Sequence, residues 1–382
     1  MQNKIKRFSI VITAIAVAVL IVLGFVYLGK KSSGPLTDML NTLGNKVTDA
    51  ENQWLLSQRK PEREKKLSWF IKNRNYKKWM QNPDTILLGV YDNNYKKSFQ
   101  PVLQLGNLLN YSLPLIQIYN AWGDKPEEEF PMLYVKAIYE LGSTPMITWE
   151  PWLNDFNREE HGLSNAADPN KKGMRAIARG DYDFYIKEWA SQAHEFGHLL
   201  FIRFGHEMND PYRYPWGPQN NTPQEYIAAW KHIVNIFEKA GVNNILWVWS
   251  PHPAYLHYKE YFPGKDYVDW VGVGALNYGN AATWSKWWSF KDIFGKYYPE
   301  LATFNKPLMI TEMGSLETGG SRTQWFKKAF TDTPKKYPQL KAMLFFDDNS
   351  DNTTLNKILN WSIANDTATC KAIHNAIKNT WK

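Results

Sequence analysis

The chain has 382 residues, 44% hydrophobic and 21% charged, enough for one large globular domain or two ordinary ones and too apolar for a disordered chain. A formal net charge of +8 invites a nucleic-acid partner, but of 45 basic and 37 acidic residues, 15 and 5 lie in residues 1–80, leaving 30 and 32 for the remainder. That distribution excludes a basic nucleic-acid face on the larger part of the chain, and a single cysteine, Cys370, excludes any intrachain disulfide.

From the N-terminus, Lys4, Lys6 and Arg7 precede an uncharged run over 8–28, which stops at Lys30 and Lys31. Twenty-one residues suffice to cross a bilayer, and no small-x-small cleavage site follows. The run is therefore expected to be an uncleaved transmembrane anchor. Residues 1–7 are then a cytoplasmic tail, and the rest is a cell-membrane-bound, extracytoplasmic chain with the membrane as one partner. Residues 29–83 are polar and basic, with Leu36, Met39, Leu40 and Leu43, then Leu67, Phe70 and Ile71, at helical spacing. They read as a juxtamembrane spacer of short helices, some of them expected to pack on the domain that follows, whose excess charge suits a lipid-proximal position.

Beyond residue 84 the pattern changes. Apolar runs at 86–90, 113–118, 145–149, 199–204, 245–249, 268–273, 308–311 and 342–346 alternate with amphipathic stretches at 130–141, 182–196, 223–240 and 322–330. Continuous apolar runs of this length suit strands buried on both faces of a parallel sheet. Gly142, Gly197 and Gly241 stand where helix-ending glycines belong. Eight such units over 84–382 predict an α/β fold, a (β/α)8 TIM barrel. An open doubly wound sheet would want a glycine-rich phosphate loop after its first strand, and Val90-Tyr91-Asp92-Asn93-Asn94 is not one.

In such a barrel the reactive groups come from the C-terminal strand ends. Those ends carry Thr148-Trp149-Glu150-Pro151-Trp152, Arg203-Phe204-Gly205-His206-Glu207-Met208-Asn209, Trp249-Ser250-Pro251-His252, Ala275-Leu276-Asn277-Tyr278, Ile310-Thr311-Glu312-Met313-Gly314 and Phe346-Asp347-Asp348. Glu207 follows the fourth strand and Glu312 the seventh, so the barrel faces them across its mouth. A pair of opposed carboxyls about 5 Å apart is what a retaining glycosidase needs; capping or a structural ion pair is the plainer alternative for either alone.

The segment 203–209, followed by Tyr214-Pro215-Trp216-Gly217, resembles the acid/base segment of glycoside hydrolase family 26, and Ile310-Thr311-Glu312-Met313-Gly314 resembles its nucleophile segment. Ile147-Thr148-Trp149-Glu150-Pro151-Trp152 also resembles the family pattern. The family comprises retaining, metal-independent β-mannanases, β-1,3:1,4-glucanases and β-1,3-xylanases. The resemblance implies Glu207 as acid/base and Glu312 as nucleophile, with no cofactor and no metal. It implies that His206 orients the acid/base segment, that Tyr278 hydrogen-bonds the nucleophile and that Trp216 forms part of a sugar platform. Arg203, Asn209, Trp149, Glu150 and Trp249 complete the expected substrate-binding set. Asp210 and Arg213 depart from the family's usual Asn-Gly-x-Trp-Tyr-Pro-Trp, which leaves open whether the polymer is β-1,4-mannan or a β-1,3:1,4- or β-1,4-glucan. Arg213 either recognises an anionic or substituted sugar or pairs with Asp210.

Competing signals are fewer. His194-Glu195-Phe196-Gly197-His198 matches the H-E-x-x-H zinc pattern, but Gly197 ends the helix before His198 can share a face with His194. His252 and His257 read as polar rim contacts. Trp284, Trp287 and Trp288 read equally as a distal sugar subsite or as packing, and Glu317 and Asp347 line loops at the same rim. The expected activity is endo-hydrolysis of a β-linked polysaccharide, and the alternative is a non-catalytic polysaccharide-binding scaffold. A tethered enzyme suits trimming of an emerging exopolysaccharide beside its synthase machinery.

Overall fold

All eight apolar runs become strands of one closed parallel barrel, in sequential order: β1 (Leu87–Asp92), β2 (Leu115–Ala121), β3 (Thr144–Glu150), β4 (Leu200–Phe204), β5 (Ile245–Trp249), β6 (Trp270–Asn277), β7 (Leu308–Ser315) and β8 (Leu340–Asp347), with β8 pairing back onto β1. The structure is a computed structural model and describes residues 60–164, 168–255, 257–354 and 357–381. The apolar run 8–28 and the first half of the expected spacer lie outside the described residues. Among the described residues no helix is long and apolar enough to cross a membrane.

The helices follow in chain order: α1 (Ser68–Ile71), α2 (Lys77–Met80), α3 (Gln100–Leu108), α4 (Met132–Glu140), α5 (Gly173–Arg179), α6 (Asp183–Phe196), α7 (Pro223–Lys239), α8 (Tyr298–Leu301), α9 (Arg322–Lys336) and α10 (Thr367–Thr380). The longest, α7, starts on a reciprocal cap in which Thr222 Oγ1 accepts from Glu225 N (3.2 Å) and Glu225 accepts from Thr222 N (2.9 Å). Gly197 ends α6 in the left-handed region at φ 69°, as its position in the sequence predicts.

Two apolar layers result. Outward-facing strand residues pack under the helices, while Leu87, Leu115, Met146, Phe201, Leu246, Trp270 and Met309 fill the base of the barrel interior. Part of the expected spacer packs on the barrel: residues 60–83 lie against its base. Leu67, Phe70 and Met80 are fully buried against the base residues, and the Trp270 indole N–H donates to Met80 O at 2.9 Å. Arg63 donates to Leu141 O (2.7 Å), Leu113 O (3.2 Å) and Ser143 Oγ (2.9 Å), satisfying carbonyls at the sheet's lower edge. Arg74 acts likewise, donating to Tyr139 O (2.7 Å) and Ser143 O (3.3 Å), so two of this stretch's cations have a structural use. Removing the ring in Phe70→Ala is expected to cost about 3–5 kcal/mol of unfolding free energy. Denaturant melts read that loss, and a cost near zero would mean that this stretch does not plug the barrel.

Higher in the barrel the inward positions turn polar: Gln117, Thr148, Arg203 and Thr311 are all buried. One irregularity interrupts the strands at this level. The β6–β7 register steps from Val273 opposite Ile310 to Gly274 opposite Glu312, skipping Thr311, and the β7–β8 register slips between Ile310 and Met313. A regular strand sends neighbouring side chains to opposite faces. The bulge lets Thr311 and Glu312 both reach Arg203 in the interior.

Candidate active site

Arg203, on β4, spans the upper interior and is 1% exposed. Its Nε donates to Thr148 Oγ1 (2.9 Å) and Nη1 to Thr311 Oγ1 (2.8 Å), while Nη2 donates to Glu312 Oε1 (2.5 Å) and lies 3.1 Å from Tyr119 Oη. Tyr119, on β2, donates its hydroxyl to the same Glu312 oxygen at 2.7 Å. Burial works to raise the Glu312 carboxyl, but the Arg203 charge and the two hydrogen bonds outweigh it and hold the group below the usual carboxylate range. Glu312 is thus kept ionised in a site that is almost dry.

Glu207 sits in the opposite situation. After β4 the chain turns sharply, with Gly205 at φ 47° and Glu207 itself at φ 51°, a conformation that costs a non-glycine residue about 1 kcal/mol or more. The turn is pinned by Glu207 N donating to Ser250 O at 2.7 Å. Its carboxylate Oε1 lies 3.5 Å from where a Cβ would stand on Gly274, the residue opposite Glu312 in the sheet. The two carboxylates therefore meet at the β6–β7 seam. Oε2 is buried and has no hydrogen-bond partner among the described residues; Arg213 Nη1 is 3.9 Å away, outside bonding range. Burial, reinforced by the Glu312 charge, raises the Glu207 carboxyl above its ordinary value in spite of His252 and Arg213 nearby. Two carboxyls with opposite shifts divide the roles of base and acid.

Around them, His206 is buried and hydrogen-bonded through Nε2 to Tyr214 Oη (2.9 Å), and burial beside Arg203 keeps the imidazole neutral. Its Nδ1 is 4.0 Å from Glu150, whose carboxyl burial pushes up to about 7. Trp216 is 1% exposed; its indole N–H donates to His206 O (2.7 Å) and its ring stacks on Tyr214 at 4.7 Å. It props the loop that carries Glu207 and offers no open face to a sugar. Asn209 clamps the loop after β5, exchanging hydrogen bonds with the His252 backbone at 2.8 and 2.9 Å. Trp149 and Trp249 are fully buried on the outer side of the sheet, stacked on Trp189 and packed on Phe262 and Phe304 respectively. Strand alternation explains this: both indoles face the helices, away from the barrel interior.

Tyr278 is also reassigned. The expected hydrogen bond to Glu312 comes from Tyr119, while Tyr278 bonds Arg213 and carries the exposed Trp284 against its ring at 4.9 Å. Tyr119 is missing from the sequence-derived set, although Leu115, Gln117 and Tyr119 alternate along β2 and bring a polar end to the barrel mouth. Arg213 faces Glu207 and Tyr278, while Asp210 accepts from Tyr212 N at 2.8 Å. Trp287 packs against the core, while the Trp288 backbone N–H donates to Asn277 Oδ1. His198 stacks on Tyr139 at 3.8 Å beyond the end of α6, so it shares no helix face with His194.

A second carboxyl pair stands at the β1–β8 seam, where Asp92 and Asp347 are register partners. Burial, with Asp347 opposite, raises Asp92 to about 6. The folded state therefore holds this proton more tightly than an unfolded Asp, which titrates near about 4. The resulting stabilisation is complete below about 4 and is lost as pH rises through the folded value. Asp92→Asn, which mimics the protonated form, is expected to exceed wild type in stability by on the order of 1 kcal/mol at pH 8, with the difference vanishing toward pH 4. Paired thermal melts test it; a variant equally destabilised at both pH values would contradict the raised Asp92 pKa.

A (β/α)8 barrel whose mouth opposes one arginine-held, ionised carboxylate to one proton-retaining carboxyl is built as a glycoside hydrolase is built. The sequence pattern of glycosyl hydrolase family 26 matches residues 176–366, half of the chain, and the protein belongs to that family. Among its relatives, Endoglucanase H of Acetivibrio thermocellus is 33% identical over 227 residues, 57% of this chain and 23% of that one. A mannan endo-1,4-beta-mannosidase of Bacillus subtilis is 26% identical over 151 residues, 37% of each chain. The chain thus spans well under half the length of either relative. In fold it is similar to Bacillus subtilis mannanase man26 (TM-score 0.55, 18% identity, 79% of this chain and 88% of that one) and to the catalytic domain of a Bacillus sp. JAMB-750 endo-beta-1,4-mannanase (TM-score 0.57, 17% identity, 81% and 89%).

Proposed function

We propose that this glycoside hydrolase is an endo-acting, retaining β-glycanase. Glu312 attacks the anomeric carbon through the oxygen left free by Arg203 and Tyr119, and Glu207 gives its proton to the departing glycosidic oxygen. The glycosyl–Glu312 ester is then cleaved by a water molecule whose proton returns to Glu207. The observation that carries the reading is the asymmetry of the pair: Glu312 Oε1 accepts two strong hydrogen bonds (2.5 and 2.7 Å), whereas Glu207 Oε2 accepts none among the described residues. The relatives' names, an endoglucanase and mannan endo-1,4-mannosidases, support a β-1,4-linked hexose backbone as substrate, mannan or glucan.

The test is product analysis on β-mannan, mixed-linkage glucan and cellulose, with proton NMR of the first-formed anomer. Internal cleavage with retained configuration is expected; an inverted product or purely terminal release overturns the reading. The pH dependence of kcat/KM has a definite sign. Glu312 must be ionised, and its lowered pKa extends activity toward acid. Glu207 must be protonated, and its raised pKa carries activity above the ordinary carboxylate range until it falls as that proton is lost.

The uncharged run over 8–28 supports a membrane tether holding the barrel outside the cell, beside an exopolysaccharide and its synthase machinery. Release of the chain from membranes by detergent, and its retention under carbonate washing, would bear this out; recovery in the soluble fraction would not.

A further inference from the structure

The charges at the mouth of the barrel do not all find partners. Arg203 is committed on every side, to Glu312, Tyr119, Thr148 and Thr311. The surrounding carboxylates are committed too. Asp210 accepts from Tyr212 N, Asp351 from the Trp361 indole, and Glu150 from the Trp152 indole. Arg213 is different. Its side chain is 36% exposed, it lies beside the Tyr214 ring and bonds the uncharged Tyr278, and the nearest carboxylate oxygen is Glu207 Oε2 at 3.9 Å.

That neighbour is a poor match for a cation. Glu207 acts as an acid only with its proton on, and a guanidinium close by favours the ionised form. The conflict disappears if the substrate brings the counter-ion. A carboxylate on the bound sugar would engage the planar guanidinium in the bidentate geometry arginine favours, and would remove the charge that opposes protonation of Glu207. Flanking this position are two exposed aromatic rings, Trp284 on Tyr278 and Tyr212, 62% and 82% exposed, which offer faces to neighbouring sugar units.

We infer that Arg213 is a specificity residue that receives a carboxylate carried by the glycan, on the sugar that leaves with Glu207's proton, so that the preferred substrate is an acidic β-linked polymer. The inference rests on the β-glycanase reading above and assigns its substrate class. Because one charge serves both binding and protonation, carboxylated substrates gain in kcat as well as in KM.

The experiment compares cello- and manno-oligosaccharides with the same compounds oxidised at C6 to uronic acids, using the full chain in detergent. Wild type is expected to favour the oxidised form by about tenfold or more in kcat/KM, the ratio shrinking as salt rises. Arg213→Gln brings the ratio to about one, and Arg213→Lys keeps part of it. Both substrates are measured on the same protein sample, so partial misfolding leaves the ratio untouched. A wild-type ratio at or below one, or a ratio unchanged in Arg213→Gln, overturns the proposal. If neither substrate is cleaved, the glycanase reading fails by itself, and calorimetric binding decides on Arg213. Carboxylate-dependent binding lost in Arg213→Gln sustains its role, and equal binding of both forms ends it.

Discussion

Glu312→Gln is expected to lose roughly 10⁴-fold or more in turnover while remaining folded. The amide oxygen still accepts from Arg203 and Tyr119, which bond Oε1 at 2.5 and 2.7 Å in the wild type, so the interior network keeps most of its geometry. What disappears is the anionic oxygen that forms the glycosyl ester. Glu207→Ala separates the second role. With an aryl glycoside whose leaving group needs no proton, this variant is expected to form the ester at near the wild-type rate and then stall, because no base activates water. Added azide, which attacks without a base, restores turnover as a β-glycosyl azide. Glu312→Gln gains nothing from either change. If azide rescued Glu312→Gln and left Glu207→Ala unmoved, the two roles would be reversed; if both variants kept wild-type activity, neither carboxylate would be catalytic.

The second large effect belongs to Arg203. Arg203→Met removes the counter-charge of a buried carboxylate and leaves Thr148, Thr311 and Tyr119 without a shared partner. Breaking a buried pair in this way is expected to cost about 3–5 kcal/mol of stability, because Glu312 stays behind in a site that is 8% exposed. The sign with pH is fixed by the direction of the shift. A carboxylate held below its unfolded pKa stabilises the fold above the unfolded value, and that stability is lost as pH falls through the folded value. In Arg203→Met burial is opposed only by the Tyr119 hydrogen bond and the Arg213 charge, so the Glu312 pKa rises and the variant becomes relatively less handicapped in acid than at neutral pH. The acid limb of the rate profile should move toward higher pH for the same reason. Arg203→Lys keeps the charge without the fork and should fall between the two. Equal stability of Arg203→Met and wild type at pH 7 would show that the ion pair has no structural weight.

The legible part of this protein was its repeat of apolar runs. A strand buried on both faces is apolar throughout, and each of the eight in β1 to β8 could be read without knowing its neighbours. The helix ends at Gly142, Gly197 and Gly241 were readable for a related reason, since a left-handed backbone selects glycine locally. Glu207 and Glu312 were readable because each closes a strand whose end must line the barrel mouth.

Contacts between distant strands were not legible. Tyr119 and Glu312 are 193 residues apart, and their hydrogen bond exists because barrel closure brings β2 across from β7. The family resemblance implied Tyr278 for that contact, Trp216 for a sugar platform, and Trp149 and Trp249 for substrate binding. An aromatic residue's type does not reveal which side of the sheet it occupies. The plug at the base of the barrel was legible in part: Leu67, Phe70 and Ile71 stand at helical spacing, but helices of four residues among charges that resemble a solvated linker do not show which surface they cover.

By itself, then, the sequence determined the barrel and the order of its units, and singled out the two carboxylates as candidates, since each depends on local pattern and strand-end position. The family resemblance already implied which of the two keeps its proton; only the tertiary structure supplied a physical cause for the difference. That difference comes from Arg203 and Tyr119 reaching Glu312 across the barrel, and from a bulge at Thr311 that no local preference encodes.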